Sequence, residues 1–130
     1  MLFQELYDAA VQLVAEDPSH NTSEDYEERA SYILATFCAQ CADADRLYRL
    51  ANGLGNQSTQ ALTCVPLSNT FPLSDRFAPA ATYYLSAMLT VDENEELSEK
   101  FFALYADALA SIRASLPATA EKIGDRYGLL

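Results

Sequence analysis

Few side chains in this sequence are equipped for chemistry, and their spacing decides what each can do. Cys38-Ala39-Gln40-Cys41 is a C-x-x-C pair. Redox work at such a pair needs a thiolate, and a thiolate needs a helix N-terminus or a cationic neighbour to lower its pKa. These cysteines fall within an amphipathic stretch that no strand precedes, which favours small thiols packed in a core. A zinc site needs further ligands, and Cys64 and His20 are the only other cysteine and histidine. The spacing of that set matches no familiar zinc module. His20 lies in the polar stretch Ser19-His20-Asn21-Thr22-Ser23 with no Ser/His/Asp or Cys/His arrangement around it, so it reads as a solvated residue. There is no glycine-rich phosphate loop and no nucleophile elbow. The sequence therefore predicts no catalytic residue, no metal ligand and no cofactor.

The acids form two clusters, Glu24-Asp25 with Glu27-Glu28 and Asp92-Glu93 with Glu95-Glu96. Paired carboxylates hold metals or move protons in other settings. Here both clusters fall in the first turn of a predicted helix, where the helix dipole favours negative charge. Arg46, Arg49 and Arg113 fall toward helix C-termini, where positive charge is favoured. Tyr83 and Tyr84 are adjacent, so on a helix they point about 100° apart and at most one faces the centre. The other belongs to a rim or an interface, where tyrosine is enriched. Tyr83 is the candidate contact residue of the pair.

The elements that position these residues follow from apolar spacing. Leu2, Phe3, Leu6, Tyr7, Ala10, Leu13 and Val14 recur at three and four residues, one face of a helix that Asp17-Pro18 ends. A second helix starts at Thr22 or Ser23, with Thr22 and Asp25 as a capping-box variant. Its apolar face runs Tyr26, Ala30, Ile33, Leu34, Phe37, Cys38, Cys41 and on through Ala44, Leu47, Tyr48 and Ala51. Gly53 is the expected C′ residue. A break is expected between Cys41 and Asp43, because such a helix is long and Asp is a poor interior residue. Residues 53–74 read as a long irregular loop, with Ala61 to Val65 as a short extended piece. Ser74 or Asp75 is the expected cap of a third helix with Pro79 in its first turn. Asp92 is the expected cap of a fourth, with Glu95 at the capping-box position and Pro117 as its stop. The short turn at Asp92 makes these last two helices an antiparallel hairpin.

Composition agrees. The chain has 130 residues, one domain's length. Ala and Leu together number 39 against 7 for Val and Ile, a balance that favours helix over strand. The predicted fold is all-α: a small antiparallel bundle of four to five helices over residues 1–117, with a flexible tail over 118–130. The net charge of -11 argues against binding nucleic acid or anionic lipid directly. No apolar run approaches a membrane span, Met1-Leu2-Phe3-Gln4-Glu5 lacks a basic leader, and an odd cysteine count fits a reducing compartment.

Three segments carry a family resemblance: Asp25-Tyr26-Glu27-Glu28-Arg29-Ala30; Phe71 through Ala80 leading into Tyr83-Tyr84-Leu85-Ser86-Ala87-Met88-Leu89, with Asp92 to Leu97 and Phe101 to Tyr105 after it; and Ile123-Gly124-Asp125-Arg126-Tyr127-Gly128. In this order they resemble the small helical head–tail connector proteins of tailed bacteriophages and prophages, also called adaptor, head-completion or DNA-packaging proteins. The resemblance implies a non-enzymatic structural protein without cofactor, found in the host cytoplasm during assembly and then at the head–tail junction of the virion. Its implied partners are a portal ring, neighbouring copies of itself and tail-side connector proteins. The middle loop and the tail are the parts expected to order on docking, with Tyr83, Ile123, Tyr127 and Leu129 as candidate partner-binding residues. The isolated chain is expected to be a monomer or small oligomer. The acidic balance also suits a different class, an interaction module such as an immunity protein, antitoxin or DNA mimic that meets a basic protein partner.

Overall fold

The computed structural model describes residues 1–14, 23–55 and 64–116. The described chain is mostly helical: α1 (Phe3–Val14), α2 (Ser23–Ala51), α3 (Ala78–Thr90) and α4 (Glu95–Ala114), with a 3-10 turn Asp75–Phe77 leading into α3. Among the described residues the only β feature is an isolated bridge between Leu2 and Thr70. No helix there is long and apolar enough to cross a membrane.

α3 is the centre of the bundle. Ala78, Ala80, Ala81, Thr82, Ser86, Ala87 and Thr90 are all buried in it, beside Leu85 and Leu89. Small side chains let the other helices come close on every side. Their hydroxyls turn inward onto backbone: Thr82 donates to the Ala78 carbonyl at 2.9 Å, Ser86 to Thr82 at 2.9 Å and Thr90 to Ser86 at 2.8 Å. The buried polar atoms are thereby satisfied within the helix. Across the α3–α4 contact, Ser98 Oγ donates to the Ala87 carbonyl at 2.8 Å. At the other end Arg76 donates to Ser111 Oγ at 3.3 Å, so α4 runs back along α3. α2 also runs opposite to α3, since Arg29 reaches the Met88 carbonyl at 2.9 Å while Tyr48 meets Phe77 edge-on at 6.1 Å. α1 lies along α3 in the same direction, with Met1 beside Phe71 and Ala10 beside Ser86.

Three boundaries differ from the sequence expectation. α2 runs unbroken for 29 residues through the expected break at Cys41 to Asp43. Each Asp beyond Cys41 that would favour a break instead has an arginine one turn on: Asp43 with Arg46 at 3.0 Å and Asp45 with Arg49 at 2.9 Å. An interior Asp costs only about 0.5 kcal/mol relative to better helix formers, and these pairs and the continuous buried face offset it. Gly53 does end the helix region, at φ 67°, with the Leu54 N–H returning to the Arg49 carbonyl at 2.9 Å. That six-to-one bond is the Schellman closure, and it needs the left-handed conformation at Gly53.

The caps of the last two helices also move. Ser74 heads the 3-10 turn without a side-chain capping bond, and Phe77 occupies the N-cap of α3 with Pro79 in the first turn. Asn94, not Asp92, caps α4, accepting the Leu97 N–H at 3.1 Å. The reason is backbone: the N–H groups of Glu93 and Asn94 both turn back to the Thr90 carbonyl, at 3.1 and 2.9 Å. α4 therefore begins only after that turn is complete.

Residues 64–74 are stitched to the bundle. The first turn of α1 has N–H groups with no partner in its own helix. Phe3 finds the Asn69 carbonyl at 3.0 Å and Gln4 the Leu67 carbonyl at 2.8 Å, while Phe71 N–H reaches the Met1 carbonyl at 2.8 Å. Val65, Phe71 and Leu73 are buried in the common core.

Candidate functional site

The bundle has two chemically different ends. α2 and α4 begin at the same end, where Tyr26 donates to Glu93 and Arg29 to the Met88 carbonyl. Exposed Glu27, Glu28, Asp92, Glu93, Glu95, Glu96 and Glu99 crowd there, with Arg29 and Lys100 as the bases beside them. Arg46, Arg49, Arg76 and Arg113 all lie at the opposite end, in the last turns of α2 and α4 and in the 3-10 turn. The helix dipole explains the acids at the starts of α2 and α4 and Arg49 and Arg113 in their last turns, but not Arg76, which precedes the N-terminus of α3. Because α2 and α4 are parallel to each other, the placements add, and the molecule acquires an acidic pole.

The arginine-bearing end is organised around Asp45, which is fully buried on the inner face of α2. One carboxylate oxygen accepts Arg49 Nε at 2.9 Å and the other accepts the Ser74 backbone N–H at 2.8 Å. Arg49 also donates from Nη1 to the Gly55 carbonyl and from Nη2 to the Pro72 carbonyl, both at 3.2 Å. One ion pair so fastens both described ends of the middle segment to α2. Sequence reading missed Asp45, although the signal was present. It lies four residues beyond Cys41 and four before Arg49, on the stripe that the apolar residues define. An open polar recess of about 460 Å³ lies beside this clamp, between Arg49, Leu54, Phe71 and Arg76. Ser74 Oγ at its edge is buried with no hydrogen-bond partner among the described residues.

Cys38 and Cys41 face the interior, and Cys64 is exposed. Burial pushes the Cys38 thiol up to about 12 and the Cys41 thiol up to about 11. Those values include smaller contributions: Cys41 and Asp45 help to raise Cys38, and for Cys41 the lowering by Arg113 works against the rise from Asp45. Both are protonated at neutral pH and make poor nucleophiles. Among the described residues no three His, Cys, Asp or Glu side chains gather as a metal site. His20 lies outside the described residues.

The adjacent tyrosines separate as helix geometry requires. Tyr84 packs into an aromatic group with Phe37, Phe102 and Tyr105, its ring 5.0 Å from that of Tyr105. Burial raises the pKa of both phenols. Tyr83 points the other way, into an open apolar groove of about 280 Å³ between α1 and the start of α3. Ile123, Tyr127 and Leu129 lie outside the described residues, so Tyr83 is the one candidate contact residue that the structure locates. Comparison with protein-family models, with curated proteins and with solved structures gives no match.

Proposed function

We propose that this protein is a non-enzymatic head–tail connector component of a tailed phage or prophage, forming a ring between portal and tail through which DNA passes. The observation that carries the reading is the division between the two ends. The middle segment leaves α2 at the arginine-bearing end, and the chain beyond Leu116 leaves α4 at that same end. These are the parts expected to dock, and they share one pole. The opposite pole and the exposed helix surfaces are acidic, which suits a channel wall that repels DNA phosphates and lets the genome slide. Docking is directed at the portal ring, at neighbouring copies and at tail-side proteins, through Tyr83, Ile123, Tyr127 and Leu129.

The acidic pole also favours a second reading, an interaction module that covers a basic protein such as a toxin or nuclease. A binding experiment with the portal encoded beside the gene separates the two. The full chain is expected to co-sediment with the portal, and a chain ending at Pro117 to stay folded but unbound. Equal binding by the shortened chain overturns the role of the tail. No portal binding, together with inhibition of a basic toxin or nuclease encoded nearby, overturns the connector reading.

A further inference from the structure

Cys38-Ala39-Gln40-Cys41 is a motif that the proposed function leaves unused. Both thiols are free and buried, Cys38 at 9% exposure and Cys41 at 1%. They lie well inside α2, which is continuous through them. On such a helix, side chains three residues apart point about 60° away from each other. Their Cβ atoms lie roughly 5–6 Å apart, whereas a disulfide needs Cβ atoms about 3.5–4.5 Å apart. The two sulfurs are neighbours, yet they can bond only if the backbone between them leaves the helix. Cys41 is also part of the core against which Tyr84 and Tyr105 pack, and drawing its sulfur toward Cys38 takes it out of that packing.

We propose that this pair is a redox-sensitive switch on the continuity of α2: the helix closes over the two thiols, and a disulfide between them holds α2 open at that turn. The consequence reaches the whole bundle. Before the pair, Tyr26 donates to Glu93 and Arg29 to the Met88 carbonyl. After it, Asp45 and Arg49 hold Ser74 and Pro72. One unbroken helix keeps these two sets of bonds in register, and a break between them does not. The oxidant is a small disulfide such as oxidised glutathione. A thiolate of the opened chain attacks one of its sulfurs and releases one small thiol; the second cysteine then displaces the other. The pair loses two electrons and two protons in all, and the small disulfide becomes two thiols. In the closed chain the thiols are covered, which blocks this attack. By linkage, the factor by which folding disfavours the disulfide is the factor by which the disulfide disfavours folding. This inference does not depend on the connector reading.

A thiol–disulfide equilibrium tests it in the full chain carrying Cys64→Ser, which leaves only the pair to react. Ratios of reduced to oxidised glutathione are set in native buffer and in denaturing urea, and mass spectrometry after alkylation counts the internal disulfide. The expected equilibrium constant for that disulfide is at least about tenfold lower in native buffer than in urea. A chain oxidised in urea and returned to buffer should show a weaker helical circular dichroism signal, restored by dithiothreitol. An equal or higher constant in native buffer overturns the proposal. So does an oxidised chain with the helicity and unfolding midpoint of the reduced one. A loss of helicity under the same treatment that persists when Cys38→Ala and Cys41→Ala are added overturns it as well, since the pair is then not the cause.

Discussion

At the residue scale the structure turns on Asp45 and the buried thiols. Removing one partner from a buried ion pair leaves an uncompensated charge or an empty acceptor site, which costs about 3 kcal/mol or more. Asp45→Ala is therefore expected to lower the unfolding free energy by about 3 kcal/mol, read from urea denaturation. Asp43→Ala should cost little, because the Asp43–Arg46 pair is exposed on both sides. Equal effects of the two would contradict the clamp. The thiols give a pH dependence with a definite sign. In the unfolded chain they ionise near 9.0, whereas folded Cys41 and Cys38 hold their protons to about 11 and about 12. Below pH 9 both states are neutral there and nothing changes. As pH rises from 9 toward 11 and 12 the unfolded state sheds protons that the folded state keeps, so stability falls. Cys38→Ala and Cys41→Ala should each make that fall shallower. Under native conditions at pH 8, mass spectrometry after alkylation should find Cys64 modified first and the buried pair only slowly. Cys38 reacting as fast as Cys64 would contradict the burial. The buried face of the thiols was legible in their helical spacing. The partner that Asp45 finds in Ser74 was not, because it lies 29 residues away in sequence.

At the scale of elements the helices were legible and their ends only partly so. Three-and-four spacing placed α1 and α2, and Gly53 marked the end of α2, because local geometry decides these features. The expected break in α2 failed because pairing at one-turn spacing cancels the small cost of each Asp. The cap of α4 was misplaced because a backbone turn onto the Thr90 carbonyl, invisible to side-chain patterns, delays the helix until Asn94. This difference is measurable. Asn94→Ala should destabilise the protein by about 1 kcal/mol, whereas Asp92→Ala should leave thermal unfolding nearly unchanged. The reverse order would restore Asp92 as the cap. The directions of α1 and α2 against α3 had no local signal. They rest on pairs such as Ala10 with Ser86 and Arg29 with Met88, far apart in the chain.

At the scale of the whole molecule, charge is the organising feature. Composition revealed the excess of acid but not its gathering at one pole, which requires α2 and α4 to be parallel. With a net charge of -11 per chain, copies brought together around a circle repel one another. The isolated protein is expected to sediment as a monomer or small oligomer at low ionic strength. On the proposed connector reading, a pre-formed portal ring would supply what is missing by holding neighbours in place, as linked sites do. A stable ring in dilute buffer without any partner would contradict this. The central claim is that the arginine-bearing end docks and the acidic pole does not. Electron microscopy of the protein mixed with the portal encoded beside its gene tests it most directly. The account predicts a continuous ring of bundles seated on the portal, with the ends carrying Arg46, Arg76 and Arg113 against it and the turn at Asp92 to Asn94 facing away. A portal that remains bare, or a ring seated by its acidic pole, would contradict it.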